Sequence, residues 1–101
     1  MRPKYYTYTL AENWQPVECA DVRAWGEWFE RAERVVASDE RDGVRVSTVF
    51  IGLDHNFNDG PPLLFETLVF EGPHDGEMQR YSTRPEAERG HRAMVLKVFP
   101  A

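Results

Sequence analysis

The sequence has little cysteine, no long hydrophobic run and no cluster of basic charge. Its single cysteine, Cys19, excludes an internal disulfide and any all-cysteine zinc site, and it suits a reducing compartment. The longest apolar runs, such as Leu68-Val69-Phe70, are far shorter than a membrane span, so we expect no membrane association. The two basic residues near the start are not followed by an apolar segment, which argues against a signal peptide. These absences predict a protein of the cytoplasm.

Acidic residues outnumber basic ones along the whole chain. There are 17 Asp and Glu residues against 12 Lys and Arg residues, which gives a formal net charge of −5 at pH 7. Domains that bind nucleic acid by neutralising phosphates are usually strongly basic, so this balance argues against a nucleic-acid partner. The densest charge run, residues 39–42, is expected at a solvated hairpin tip.

Length and composition predict one folded domain that covers residues 1–101. Hydrophobic residues make up 42% and aromatic residues 13% of the 101 residues. That content is enough for a hydrophobic core and too high for a disordered chain. No feature of the sequence indicates an oligomeric state.

Hydrophobic periodicity predicts a first amphipathic helix over residues 21–34. Asp21 is its N-cap, and apolar residues recur at three- and four-residue spacing. Gly26 inside this helix costs about 1 kcal/mol relative to alanine, so we expect it to allow the close approach of another element. Trp25 and Trp28 either belong to the core, which is the interpretation we favour, or form a partner-binding surface.

A second amphipathic helix is predicted at the end of the chain. Thr83 and Glu86 form a capping box, in which the threonine side chain accepts from a backbone N–H of the first turn. Apolar residues then recur at helical spacing and form a stripe that includes His91. Pro100 is expected to end this helix.

Runs of β-branched and aromatic residues predict about five strands, at residues 5–10, 34–38, 44–53, 63–70 and 77–81. Asp42-Gly43 between two such runs indicates a hairpin, and residues 11–20 are predicted to be a connection. The end of strand 44–53 is apolar on both faces, which is typical of a central strand covered on both sides. The order β-α-β-β-β-β-α predicts an α+β fold, with a mostly antiparallel sheet and two helices packed on it.

The longest polar loop, residues 54–62, is a candidate site. Its chemically interesting members are Asp54, His55, Asn56 and Asp59. Together with Glu66 of the next strand they could hold a divalent metal, although their spacing matches no calcium loop and no zinc motif. Asp and Asn also stabilise turns by bonding their own backbone. A structural loop, a partner-contact loop and a metal or catalytic site therefore all remain open.

Two further polar residues lie within apolar patterns. An ionised Glu66 in mid-strand is costly unless it is paired, so we expect it to face outward or to pair with Arg45 or Arg80 rather than to act as an acid or base. His91 on the apolar helix stripe is more often a core histidine than a ligand. If His55, Glu66 and His91 met in space, they would form a two-histidine-one-carboxylate site.

No recognised catalytic or cofactor motif is present. The chain has no Gly-x-Ser-x-Gly elbow, no phosphate-binding glycine loop and no dinucleotide fingerprint, so we predict no cofactor and assign no catalytic or metal-binding residue. Cys19 lies beside Glu18, and a neighbouring carboxylate disfavours a reactive thiolate.

About half of the chain, residues 47–95, resembles a group of short hypothetical proteins from tailed phages and prophages. The likeness is carried by Ser47–Phe57, Pro61–Phe70, Asp75–Gly76, Arg80–Thr83 and Gly90–His91. The group has no established activity, so the resemblance implies no catalytic role for any position. It implies a small cytoplasmic protein that is made during phage growth or carried by a prophage.

These observations favour a binding function over an enzymatic one. The predicted partner is a protein of the bacterial host or of the phage. Counter-defence inhibition of a CRISPR–Cas or restriction complex is one concrete form, in which an acidic surface competes for a basic groove. The alternative is a small metal-binding protein or hydrolase-like enzyme that uses Asp54, His55, Glu66 and His91.

Overall fold

The computed structural model describes residues 6–100, so Tyr5 of the predicted first strand lies outside the described residues. The elements follow in the order β1 Tyr8–Leu10, β2 Pro16–Glu18, α1 Val22–Arg31, β3 Val35–Arg41, β4 Val44–Phe50, β5 Phe65–Phe70, β6 Met78–Tyr81 and α2 Arg84–Val98. They form two antiparallel sheets, one of order β1-β2 and one of order β3-β4-β5-β6. The predicted α+β class is confirmed.

The segment before α1 differs from the prediction of a plain connection. It contains β2, which pairs with β1 so that Val17 lies opposite Thr9. A tight turn joins the two strands, with Trp14 in the left-handed region at φ 63°. Three residues are too few to show the alternation by which a strand is recognised in a sequence. Residues 6–100 therefore contain six strands, one more than the five or so predicted.

Helix α1 begins as predicted and ends three residues early. The Asp21 carboxylate accepts two backbone N–H groups of the first turn, at 3.0 and 3.1 Å. After Arg31 the chain turns away, and Arg34 anchors it. The Arg34 guanidinium lies 3.7 Å from the centre of the Phe29 ring and donates to the Phe50 carbonyl at 3.3 Å. One side chain thus ties the end of α1 to β4.

The hairpin between β3 and β4 turns at Asp42-Gly43, as predicted. Both residues have positive φ, 49° and 81°, which matches the backbone twist of a two-residue hairpin. Strand β3 extends to Arg41, however, so the charged residues 39–41 lie in an edge strand and only residue 42 is at the tip.

Only one face of the four-stranded sheet is covered by the described part of the chain. Alternate residues of β4 and β5 are almost fully buried beneath α2, and we call this the inner face: Val46, Thr48, Phe50, Phe65, Thr67 and Val69. Trp28 of α1 and Tyr8 of β1 pack around Phe50 at one end of that face. The intervening residues are half-buried or exposed. Strand β4 is central in the sheet, as predicted, but residues at its apolar end, where cover on both sides was expected, are only half-buried on the outer face.

Helix α2 has its predicted start and end. Thr83 accepts the Glu86 N–H at 3.3 Å, and the helix stops at Val98, before Pro100. Gly90 is the helical glycine that a neighbour approaches closely, because a Cβ there would lie 2.1 Å from the Tyr81 hydroxyl oxygen. At Gly26 a Cβ would meet nothing within 4 Å, which corrects the expectation of a close approach at that position. Within residues 6–100, neither helix has the length and apolar content needed to cross a membrane.

Candidate functional site

The polar loop after β4 is held by its own side chains. The buried Asp54 carboxylate accepts the N–H of Asn56 at 2.7 Å and of Leu63 at 3.0 Å, so it joins the two ends of the loop. Asn56 donates to the Pro61 carbonyl at 2.9 Å. His55 bonds the Leu53 carbonyl at 2.9 Å through Nδ1. Asp54 and Asn56 thus stabilise the loop by bonding its backbone, as Asp and Asn residues commonly do in turns.

The exposed tip of this loop consists of residues 57–60. Phe57 has 79% of its surface exposed, and Asp59 is also exposed. The Asn56 side chain supports the tip by accepting the Asn58 N–H at 3.0 Å. The loop therefore displays an aromatic and a carboxylate on a supported turn, a geometry suited to contact with another molecule.

Glu66 forms an ion pair with one of the two arginines considered for it. Its carboxylate accepts from Nε of Arg80 at 3.0 Å, across the β5–β6 pair in which the two residues are directly opposite. Both side chains lie on the outer side of the sheet, since Glu66 alternates with the inward-facing Phe65 and Thr67. The ion pair offsets the free-energy cost of a half-buried charge on Glu66. The Glu66 carboxylate is therefore held by Arg80 and does not stand as an unpaired group for acid–base chemistry.

His91 lies on the inner face, in a chain of buried hydrogen bonds. Its Nδ1 is 2.7 Å from the Thr48 hydroxyl, which is 2.5 Å from the Thr67 hydroxyl. Its Nε2 is 2.7 Å from the Asp39 carboxylate. The Tyr81 hydroxyl donates to Thr67 at 3.1 Å and completes the chain. A neutral imidazole with its proton on Nε2 satisfies every bond, because each hydroxyl then donates in turn toward the carboxylate.

The order carboxylate, imidazole, hydroxyl is also that of a catalytic triad. Here the hydroxyl belongs to Thr48, which has 0% of its surface exposed between the sheet and α2. A nucleophile has to reach a substrate carbonyl, and Thr48 contacts only the interior of the protein. The arrangement therefore satisfies buried polar groups and offers no site for acyl transfer.

The predicted metal ligands do not come together. Glu66 and His91 lie on opposite faces of the sheet, so they cannot share an ion with His55. No group of three or more His, Cys, Asp or Glu side chains within residues 6–100 has the arrangement needed to hold a metal. The geometry does not support the two-histidine-one-carboxylate hypothesis.

The two helix tryptophans belong mainly to the packing of α1. Nε1 of Trp25 donates to the Tyr8 carbonyl at 3.0 Å, and its ring lies 4.9 Å from that of Phe29. Trp28 meets Phe50 edge to face, with ring centres 5.9 Å apart. Both rings are half-buried, so the core interpretation fits them better than a partner-binding surface.

The outer side of the four-stranded sheet, which we call the open face, is an apolar surface that neither described helix covers. Three of its apolar side chains are well exposed, Val35 at 48%, Met78 at 43% and Phe70 at 36%. Half-buried Val49 and Leu68 lie on the same face, with Ser47 directly opposite Leu68. The apolar centre is flanked by the Glu66–Arg80 pair and by Arg45, whose guanidinium lies 4.6 Å from the centre of the Phe70 ring.

Neither the open face nor the partners of His91 can be predicted from the sequence patterns used above. Those patterns predict Asp39 at a hairpin tip and give no role to Thr48. The signal for the open face was present in the alternation of β5, where Glu66 and Leu68 interleave with Phe65, Thr67 and Val69. This alternation places Leu68 on the face opposite the buried residues of β5.

Comparison with known proteins finds no family model, no curated protein and no solved structure that matches the chain.

Proposed function

We propose that this protein acts by binding another protein through the open face of its sheet. A single observation carries the proposal. A four-stranded sheet with one face packed under α2 leaves Val35, Phe70 and Met78 exposed on the other. Contiguous apolar surface rimmed by polar residues is characteristic of interaction sites.

The composition of the open face supports contact with a folded protein surface. Aromatic, methionine and arginine side chains are enriched at protein interfaces, and Phe70, Met78 and Arg45 provide all three types here. The charged groups at its rim are balanced, since Glu66 is paired with Arg80 and Glu40 lies opposite Arg45 in the β3–β4 pair. This face therefore does not imitate a nucleic acid, and we expect apolar contact to provide most of the affinity.

The resemblance to phage proteins supports a partner in an infected cell. We propose a protein of the phage or of its bacterial host, in the host cytoplasm, and inhibition of a CRISPR–Cas or restriction complex as the concrete form to test first. The mild net charge of −5 is spread along the chain. It would help association with a basic complex without determining the contact surface.

The test compares two variants in a capture experiment from phage-infected cells. The double variant Phe70→Glu/Met78→Glu places charge in the apolar centre, and both positions are exposed, so the fold should be retained. The control is Leu96→Glu on α2, where the side chain is 72% exposed. We expect a stoichiometric partner to be retained by wild type and control, at 0.1 M and at 0.5 M salt, and to be lost from the double variant.

Retention of the same partner by the double variant would refute the open face as the contact surface. Loss of the partner from wild type at 0.5 M salt would show that charge and not apolar contact provides the affinity, because screening at that salt removes exposed electrostatic attraction.

A further inference from the structure

We infer that the groove between β6 and α2 binds an extended, acidic peptide segment, which joins the sheet as a fifth strand beside β6. The groove has a volume of about 390 Å³. One wall is β6, and the other is formed by Gly90, Ala93, Met94 and Lys97 of α2. Met78 belongs to both surfaces, but the backbone edge of β6 and the α2 wall lie outside the open face, so the inference does not rest on the proposed function.

The backbone of β6 has hydrogen-bonding groups at the edge of the sheet. The Val69 N–H donates to the Glu77 carbonyl at 3.0 Å and the Leu64 N–H to the Tyr81 carbonyl at 2.9 Å, so these carbonyls point to β5. In an antiparallel pair, residues that face the partner strand alternate with residues that face away. Met78 and Arg80 therefore direct their N–H and C=O groups to the edge, beside which no other strand of the described chain lies.

Small residues on α2 make room for a strand at that edge. Gly90 and Ala93 are three positions apart and so lie on the same side of the helix. Gly90 allows Tyr81 to lie against the helix backbone. The short side chain of Ala93 lines the groove and leaves its volume open. Side chains that alternate from an added strand would point into this space, as in other complexes formed by strand addition.

The opposite edge of the sheet is less suited to this role. Strand β3 has a register shift between Val35 and Ala37, and its outer half carries Asp39, Glu40 and Arg41. Bulges and charges of this kind discourage pairing at an edge. Strand β6 contains no proline and its register with β5 is regular from Leu68–Met78 to Phe65–Tyr81.

The size of the groove favours a peptide over a second copy of the chain. Four residues of β6 extend about 13 Å, whereas a stable interface between folded proteins buries about 800 Å² on each partner. A strand of about four residues matches the length of the edge, and a longer peptide would extend past its ends. The groove therefore suits a short linear segment better than a globular surface.

The charge of the lining favours acidic segments. Among its residues Arg80 and Lys97 are cationic and Glu77 is anionic, which gives a formal charge of +1, although the chain carries −5. Arg80 is paired with Glu66 on the open face, so Lys97 is the cation that an acidic segment in the groove would meet. Hydrogen bonds from Lys97 and then from His74 lower the pKa of Glu77, which accordingly stays ionised and paired at neutral pH. A further carboxylate at this end of the groove would meet the ammonium of Lys97, which is more than half exposed.

The probe is the acetylated and amidated heptapeptide Thr-Val-Thr-Asp-Thr-Val-Thr, titrated into the ¹⁵N-labelled full chain and followed by amide chemical shifts. We expect shift changes centred on Met78, Arg80, Gly90 and Ala93. Replacing the two valines by proline removes backbone donors and should abolish binding. Replacing the aspartate by lysine should weaken binding by about 2–5-fold, as expected for an exposed ion pair.

The decisive variant is Ala93→Leu, which fills the groove from an exposed helical position and should leave the fold intact. It should weaken binding by roughly tenfold or more, the effect of one displaced apolar side chain. The matched control is Ala24→Leu at an exposed position of α1, which should leave binding unchanged. The inference would be overturned if Ala93→Leu bound the peptide as well as wild type does, or if the proline peptide bound as well as the original peptide. It would also be overturned if the shift changes were confined to Val49 and Phe70 of the open face.

Discussion

Replacing a helical glycine by alanine should have opposite effects on stability in the two helices. Alanine is favoured over glycine in a helix interior by about 1 kcal/mol. At Gly26 a new Cβ meets nothing within 4 Å, so only this gain applies. We expect Gly26→Ala to raise the free energy of unfolding by about 0.5–1 kcal/mol.

At Gly90 the same substitution forces Tyr81 to move. The new Cβ would lie 2.1 Å from the Tyr81 hydroxyl oxygen, 2.2 Å from Cζ and 2.3 Å from Cε1. Displacing the ring breaks its hydrogen bond to Thr67, worth about 1 kcal/mol, and overpacking of this kind costs about 1–3 kcal/mol. After the gain in helix propensity, we expect Gly90→Ala to lower the free energy of unfolding by about 1–3 kcal/mol.

The assay is urea unfolding followed by circular dichroism, with the slope of the transition checked for each variant. The two variants should differ by about 1.5–4 kcal/mol in free energy of unfolding. Tyr81→Ala should make Gly90→Ala neutral or stabilising, because the collision is then gone. The packing of α2 on β6 described here would be refuted if Gly90→Ala stabilised the wild-type background as much as Gly26→Ala does.

Three other outcomes follow from polar contacts. Asp54→Ala removes the acceptor for two backbone N–H groups, so it should cost about 1–3 kcal/mol and speed amide exchange at Leu63; unchanged exchange there would contradict its role as the tie across the loop. His91→Phe leaves polar partners unsatisfied at the helix–sheet interface and should also cost about 1–3 kcal/mol in urea unfolding, whereas a variant as stable as wild type would show that the network contributes nothing. The pKa of Glu77 is lowered from 4.5, mainly because its carboxylate accepts a hydrogen bond from Lys97. The stability that the ionised carboxylate contributes is therefore present above about pH 4.5 and is lost as the pH falls through the lowered pKa. Glu77→Gln should therefore lose less of its melting temperature than wild type between pH 5 and pH 3, and equal losses would contradict this assignment.

Much of the fold could be predicted because its local signals agree. The Asp42-Gly43 turn, the Thr83 cap and the periodicity of α2 each depend on neighbouring residues, and the structure has all three. Strand β2 escaped prediction because three residues show no period. The end of α1 was predicted too late because Arg34 leaves the helix to bond Phe50, a partner 16 residues away.

The candidate site could be predicted less well, because its chemistry depends on distant contacts. The Asp39–His91 bond joins residues 52 positions apart, and no pattern in a single sequence indicates such a pair. The sequence suggests Arg45 or Arg80 as an ion-pair partner for Glu66. The register of β5 with β6, which places Arg80 opposite Glu66, decides between them. The open face is defined by the absence of a covering helix among the described residues. That absence can be seen only once the sheet and the helices are assembled.

The buried hydrogen-bond chain and the open face are the two observations on which our proposal of a binding function depends. A hydrolase of this size would need its activated hydroxyl at a surface, yet Thr48 lies beneath α2 and the Glu66 carboxylate is paired on the other side of the sheet. The polar groups that resemble a catalytic set are thus used to join α2 to β3, β4 and β5. Surfaces available to a partner in the described residues include the open face, the backbone edge of β6 and the exposed loop tip with Phe57. The open face and the β6 edge recognise shape and strand geometry, which are properties that a binding protein uses and a catalyst does not require.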